Sequence, residues 1–179
     1  MLGLPDGRVV LVGYCDDWPR LFEEERAALS DALGGRAECI EHVGSTAVPG
    51  LPAKPVLDIA VAVEKLSVVQ SFVGPLAELG YTYRGEYGLP GRLFFTKGSP
   101  VTHHVHAVER GSEHWRVWRR FRDYLRSHVD ECARYAAVKL DLAERYASDR
   151  DAYTQSKSEY IISVLEKAGA TDEDAAAPG

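Results

Sequence analysis

Between Pro55 and Val63 the chain reads Pro-Val-Leu-Asp-Ile-Ala-Val-Ala-Val, an apolar run rich in β-branched residues with one carboxylate, Asp58, inside it. Residues of this kind form a strand. A carboxylate between Leu57 and Ile59 is costly to bury alone, so Asp58 has to be paired, hydrogen-bonded or bound to a metal. Any fold for this chain has to bring such partners to that strand.

The pattern on either side supplies further elements. Arg8 to Gly13 is expected to form a first strand, ended by the turn-prone Cys15-Asp16-Asp17. Asp17 is placed to cap a helix that tolerates Pro19 in its first turn and stops at Gly34-Gly35, with Leu21, Phe22, Ala28, Leu29, Ala32 and Leu33 as its buried stripe. Arg36 to Val43 reads as a strand running into Gly44-Ser45-Thr46, and it should neighbour the Asp58 strand. A helix over Leu66 to Leu79, ended by Gly80, precedes strands at Tyr81 to Arg84, Leu93 to Thr96 and Val101 to Val108. Helices follow over Ser112 to Arg126, Asp130 to Tyr146 and Asp149 to Ala168, and an acidic, Ala-rich tail from Thr171 to Gly179 is expected to be disordered. Strands gathered in residues 8–110 and helices in 112–168 predict an α+β fold: one domain over 1–170, with packed helices on the sheet and a C-terminal helical half.

Composition narrows the partners. At 179 residues and 45% hydrophobic content the chain can bury an ordinary core. The formal net charge of −6 leaves no broad basic surface for a nucleic-acid backbone, which favours a small substrate. The arginines at 116, 119, 120, 122 and 126 form at most a local patch or a solvated helix face. Cys15, Cys39 and Cys132 make no C-x-x-C pair, so they read as small buried hydrophobes rather than a disulfide framework or zinc site. No signal-like leader and no run of 18 apolar residues is seen, so no membrane partner and a cytoplasmic location are expected.

Three stretches carry chemistry. In Glu41 to Asp58, Gly44 lets the backbone approach a ligand closely, and Ser45 can cap a helix whose first N–H groups point at phosphate. In Val101-Thr-His-His-Val-His-Ala-Val108, alternation puts Thr102, His104 and His106 on one face and His103 on the other. Two same-face histidines suit a metal, a phosphate or acid–base work. In the last helix, Asp149, Tyr153 and Lys157 share a face, from which Lys157 can reach a phosphate, while Ser148 with Asp151 reads as a capping box. Lys54, before Pro55, is a further phosphate candidate.

Together, Glu41-His-Val-Gly-Ser-Thr-Ala-Val-Pro-Gly-Leu, Ala53-Lys-Pro-Val-Leu-Asp-Ile59, Thr102-His-His-Val-His106, Phe121-Arg-Asp-Tyr-Leu-Arg126 and Asp151-Ala-Tyr-Thr with Lys157 closely resemble the GrpB family of nucleotidyltransferase-like proteins. The resemblance spans about residues 8 to 168. It implies a polymerase-β-like nucleotidyltransferase fold, a small mixed sheet with packed helices, in which the Gly-Ser turn holds a triphosphate and strand carboxylates hold divalent metal. The general signature of that superfamily has a second acid two residues after the first; here that position is Ala60. His104 and His106 beside Asp58 would complete a mixed site, and alternation lets only one of Glu41 and His42 join it. The expected function is therefore a metal-dependent nucleotidyltransferase passing a nucleotidyl group from a nucleoside triphosphate to a small-molecule acceptor. Asp58, His104 and His106 would hold Mg, Mn or Zn, while Gly44, Ser45, Lys54, Arg122 and Lys157 would hold phosphates. The alternatives are an inactive nucleotide- or ligand-binding module and a metal-dependent phosphoester hydrolase.

Overall fold

A computed structural model describes residues 2–3 and 8–176; the end of the tail, 177–179, lies outside the described residues. The Asp58 run forms β2 (Leu57–Val63), with β1 (Cys39–Val43) antiparallel on one side and β5 (His103–Glu109) parallel on the other. β4 (Arg92–Lys97) and β3 (Tyr81–Tyr83) extend the sheet antiparallel, giving the mixed order β1-β2-β5-β4-β3. The α+β class expected from the pattern holds. Because β2 has a neighbour on each side, every β2 side chain except that of Asp58 is buried, as a strand covered on both faces requires.

Alternation divides the sheet. Leu57, Ile59, Val61 and Val63 join the large core under α1 (Trp18–Leu33) and α2 (Val73–Glu78). Asp58, Ala60 and Ala62 look the other way, where the two alanines pack with Val43, Val108 and Trp115 of α3 (Glu113–Ser127). α4 (Val129–Arg145), α5 (Arg150–Ser156) and α6 (Ser158–Ala176) complete the helical half. Among the described residues no helix is long and apolar enough to cross a membrane, and the three cysteines are free and half-buried rather than fully buried.

Several expectations need correction. The tail expected to be disordered from Thr171 continues α6 as far as Ala176. Residues 8–13 make no strand: Val12 forms one bridge with Ala53, and the Val9 N–H is taken by the Ala147 carbonyl, so this segment straps the helical half to the start of β2 without a ladder. The helix expected over 66–79 begins as a 3-10 helix, Leu66–Phe72, because Pro75 has no N–H to continue an α-helical ladder back to Ser71; that carbonyl instead accepts from Arg36 Nη1. The last helix is split at Lys157 into α5 and α6. Its cap is Asp149, whose carboxylate accepts from the Ala152 N–H at 2.9 Å, in place of a Ser148–Asp151 box. Asp17 does precede α1, but its side chain accepts from Arg20 and caps no backbone N–H.

Trp18 opens the buried stripe of α1, completely covered, with its indole Nε1 lacking a partner among the described residues. Truncation to Ala should therefore cost roughly 3–5 kcal/mol in urea unfolding. Trp18→Phe should cost less than half of that, since it discards the unpaired donor while keeping most of the apolar volume. Equal losses from both variants would contradict an unsatisfied indole.

Candidate active site

Asp58 sits near the start of β2, opposite Val43 on β1 and His104 on β5. Register and alternation then place His104 and His106 on its face. His104 Nδ1 lies 2.9 Å and His106 Nε2 3.3 Å from the same carboxylate oxygen. Burial alone would raise the Asp58 carboxyl; the hydrogen bonds from His104 and His106 outweigh it and hold the group well below the usual carboxylate range. His106 is pushed down by burial against the pull of Asp58. A third of the Asp58 side chain stays exposed, so the group is open to a ligand.

The two imidazole nitrogens and the carboxylate oxygen lie within 4.8 Å of one another. That approaches the spacing one ion with bonds of about 2.0–2.2 Å bridges, and three protein ligands leave a coordination position free for substrate. Imidazole donors favour Zn or Mn over Mg at such a site. The residues therefore fit a divalent cation.

The Gly-Ser turn closes over this group. Gly44 has φ 71°, and a Cβ there would stand 2.6 Å from Asp58 Oδ2, so both its dihedral and its missing side chain are required. Ser45 to Ala47 form a single 3-10 turn rather than a helix, and Ser45 caps nothing; its hydroxyl is hydrogen-bonded with Tyr135 of α4.

Beside Asp58 opens a cavity of about 290 Å³ whose lining includes Ser45, Thr46 and His104 and four cations, Lys54, Lys139, Arg150 and Lys157, against the single carboxylate. Lys54 Nζ and Lys157 Nζ lie 4.7 and 4.2 Å from the centroid of the Tyr153 ring. Among the described residues none of these lysines has an ion-pair partner. Burial pushes Lys157 down to about 8, with Lys54 adding repulsion, and pushes Lys139 down to about 7, with Lys157 adding repulsion. Lys54 is lowered by burial and then by Arg150. Ammonium groups crowded in this way repel one another, and an anion bound among them would relieve that repulsion.

Of the residues expected at the site, Asp58, His104, Gly44, Ser45, Lys54 and Lys157 are brought together, and His106 meets the same carboxylate oxygen as His104 without lining the cavity. Arg122 is not. Its guanidinium is buried against Glu41 at 2.6 Å, the His42 carbonyl at 2.9 Å and Asp123, and it lines a different cavity. Glu41 faces the same side as Asp58, being opposite Ala60, but Arg119 and Arg122 hold its carboxylate. His42 points to the other face, stacked on Phe22 and bonded to Thr46 Oγ1 at 2.9 Å; burial lowers it to about 4. Asp149, expected on the Lys157 face, is spent as a cap. Lys139, 2% exposed, went unread although its position was informative: it falls four after Tyr135 and three before Leu142, within the buried stripe of α4.

The GrpB protein family profile matches residues 8–167. UPF0157 protein YqkA of Bacillus subtilis (strain 168) is 36% identical over 165 residues, covering 92% of this chain but 48% of that protein, so the chain spans about half of its length. Glutamate-rich protein GrpB of Alkalihalophilus pseudofirmus is 35% identical over 171 residues, covering 92% of this chain and 98% of that one. The crystal structure of conserved protein GrpB from Enterococcus faecalis superposes with a TM-score of 0.83 at 34% identity, over 89% of this chain and 96% of that one.

The buried lysines have a consequence for stability. Lys139 titrates at about 7 in the folded chain and near the ordinary lysine value when unfolded, so across that window the unfolded chain binds more protons and stability rises with pH. Lys157 acts in the same direction from about 8. Between pH 7 and 9 the urea midpoint should climb by the equivalent of roughly 1–3 kcal/mol, at about 1.4 kcal/mol per pH unit per proton. Lys139→Met also gives up the bond to the Pro52 carbonyl, so its distinguishing effect should be loss of the larger part of that climb. A variant less stable at pH 7 with the climb intact would contradict a strained ammonium.

Proposed function

The chain belongs to the GrpB protein family, and from that premise and the cavity beside Asp58 we propose a metal-dependent nucleotidyltransferase that acts on a nucleoside triphosphate and a small-molecule acceptor. The observation that carries this reading is the convergence on one small cavity of an Asp/His group able to hold a divalent cation and three lysines without an ion-pair partner among the described residues. A nucleotidyltransferase-like ancestry, which the sequence motifs imply, agrees with it. Ala60, where that superfamily carries a second acid, leaves Asp58 as the one strand carboxylate, and the imidazoles of His104 and His106 stand in for the missing ligand.

In this account Lys54, Lys139 and Lys157 bind the β- and γ-phosphates and stabilise the negative charge that gathers on the leaving pyrophosphate. The turn at Gly44-Ser45 sets the phosphate chain against Asp58. A bound divalent ion would supply Lewis-acid polarisation of the α-phosphate. The acceptor oxygen bonds to the α-phosphorus as the bond to the bridging oxygen breaks; pyrophosphate leaves and the acceptor proton passes to solvent. Catalysis by such a site is mainly positioning and electrostatics. Ala60 also favours a second reading, a pocket that binds nucleotide and no longer transfers it.

Calorimetric titration with each of the four nucleoside triphosphates, with and without Mg²⁺, Mn²⁺ and Zn²⁺, separates these readings. Binding that needs the metal is expected, with Asp58→Asn abolishing it while the fold survives, and His104→Ala with His106→Ala changing the preferred metal. Pyrophosphate released only with an acceptor supports transfer; nucleotide or phosphate released without one identifies a phosphoester hydrolase. Binding without turnover leaves the binding module, and silence with every nucleotide and metal overturns the proposal.

A further inference from the structure

The turn between β3 and β4 holds an unexplained tyrosine. Tyr87 is the one non-glycine residue among those described with a left-handed backbone, φ 47°, although glycines flank the turn at 85 and 88. An L side chain sits there at a cost, and such strain persists only where surrounding contacts impose it. Three hydrogen bonds impose it here: Arg92 Nη2 donates to the carbonyls of Glu86 and Tyr87, each at 2.9 Å, and Glu86 Oε1 accepts from the Gly91 N–H at 2.9 Å. Burial does not account for the residue, because Tyr87 is 70% exposed.

What the conformation achieves is a stack. The Tyr87 ring lies on Phe94 with centroids 5.4 Å apart and planes 29° from parallel. Phe94 in turn touches both site histidines, at 5.1 Å to His104 and 5.0 Å to His106. Arg92, which fixes the turn, lies 4.6 Å over the Phe94 ring, has Nη1 3.5 Å from His106 Nδ1, and keeps a buried Nε without a partner. A strained, exposed aromatic ring is thus joined through Phe94 to both histidines of the Asp58 group, and one of them, His104, also lines the lysine cavity.

We infer that Tyr87, backed by Phe94 and held by Arg92, is a stacking platform for a planar heteroaromatic ring, the base of the nucleotide whose phosphates enter the lysine cavity. This rests on the nucleotidyltransferase reading for the identity of the ring. Stacking on a π-face tolerates any base, so the platform contributes affinity with little discrimination among the four nucleotides.

The test compares nucleoside triphosphates with inorganic tripolyphosphate, which has phosphates and no ring, on the full chain with divalent metal. Tyr87→Ala should weaken nucleotide binding roughly ten- to a hundredfold and leave tripolyphosphate affinity unchanged, while Tyr87→Phe keeps both. Tyr87→Gly, which relieves the left-handed strain, should melt at or above the wild-type temperature and still lose nucleotide affinity, so the result does not depend on the alanine variant folding. Unchanged nucleotide binding in Tyr87→Ala and Tyr87→Gly, with tripolyphosphate still bound, overturns the platform and leaves the phosphate cavity standing. Equal losses for both ligands also overturn it, by making Tyr87 a support of the cavity. If wild-type chain binds neither ligand, the phosphate cavity fails and the platform with it.

Discussion

Asp58 is held from three directions at once. His104 and His106 reach the same carboxylate oxygen from β5 at 2.9 and 3.3 Å, and the other oxygen lies so close to Gly44 that no Cβ fits between them. A carboxylate inside an apolar strand is tolerable only with such partners. The requirement explains why β5 must run parallel to β2 in a register that sets Asp58 beside His104, and why β1 must end in a glycine free to adopt φ 71°. The sheet order, the turn and the histidine alternation all serve one acidic side chain.

The helical half answers with the opposite charge. Lys139 and Lys157 are buried at the expense of their protonated forms, and Lys54 shares the Tyr153 ring with Lys157. Lys139 donates to the Pro52 carbonyl, whereas Lys54 and Lys157 share only the face of the Tyr153 ring, so packing alone does not account for three ammonium groups at one cavity. Stability given up at a cluster of this kind points to a ligand that restores it. Other charges on the same helices behave differently. Arg122 and Arg119 neutralise Glu41, and Arg126 donates to the Ala47 carbonyl at 2.9 Å, so these arginines fasten α3 to β1 and to the residues after the Gly-Ser turn.

Much of this was legible in residue order because period-two alternation is strict: it put His104 and His106 together, set His103 apart, and allowed only one of Glu41 and His42 on the Asp58 face; the strand register decides for Glu41. What alternation cannot report is what a side chain meets across the interior. Glu41 lies on the right face yet is captured by arginines 78 and 81 residues later, which also keeps Arg122 out of the lysine-lined cavity. Residues 8–13 have the composition of a strand, but apart from the single bridge of Val12 to Ala53 they pair with no strand of the sheet, and composition does not reveal that. Lys139 was visible as a charge on an apolar helical stripe; only the fold shows that this stripe borders a cavity rather than a core. Tyr87 carried no signal, since its meaning lies in a dihedral and a stack.

In the proposed function Asp58, His104 and His106 act together as ligands of one divalent ion. Anomalous diffraction from crystals of this chain grown with Zn²⁺ or Mn²⁺ and a nucleoside triphosphate would locate that ion. A single strong peak is expected about 2.0–2.2 Å from one oxygen of Asp58 and from the facing nitrogens of His104 and His106, with phosphate density running from it towards Lys54 and Lys157. Metal bound elsewhere, or a group that stays hydrogen-bonded and metal-free at saturating metal, would contradict that assignment.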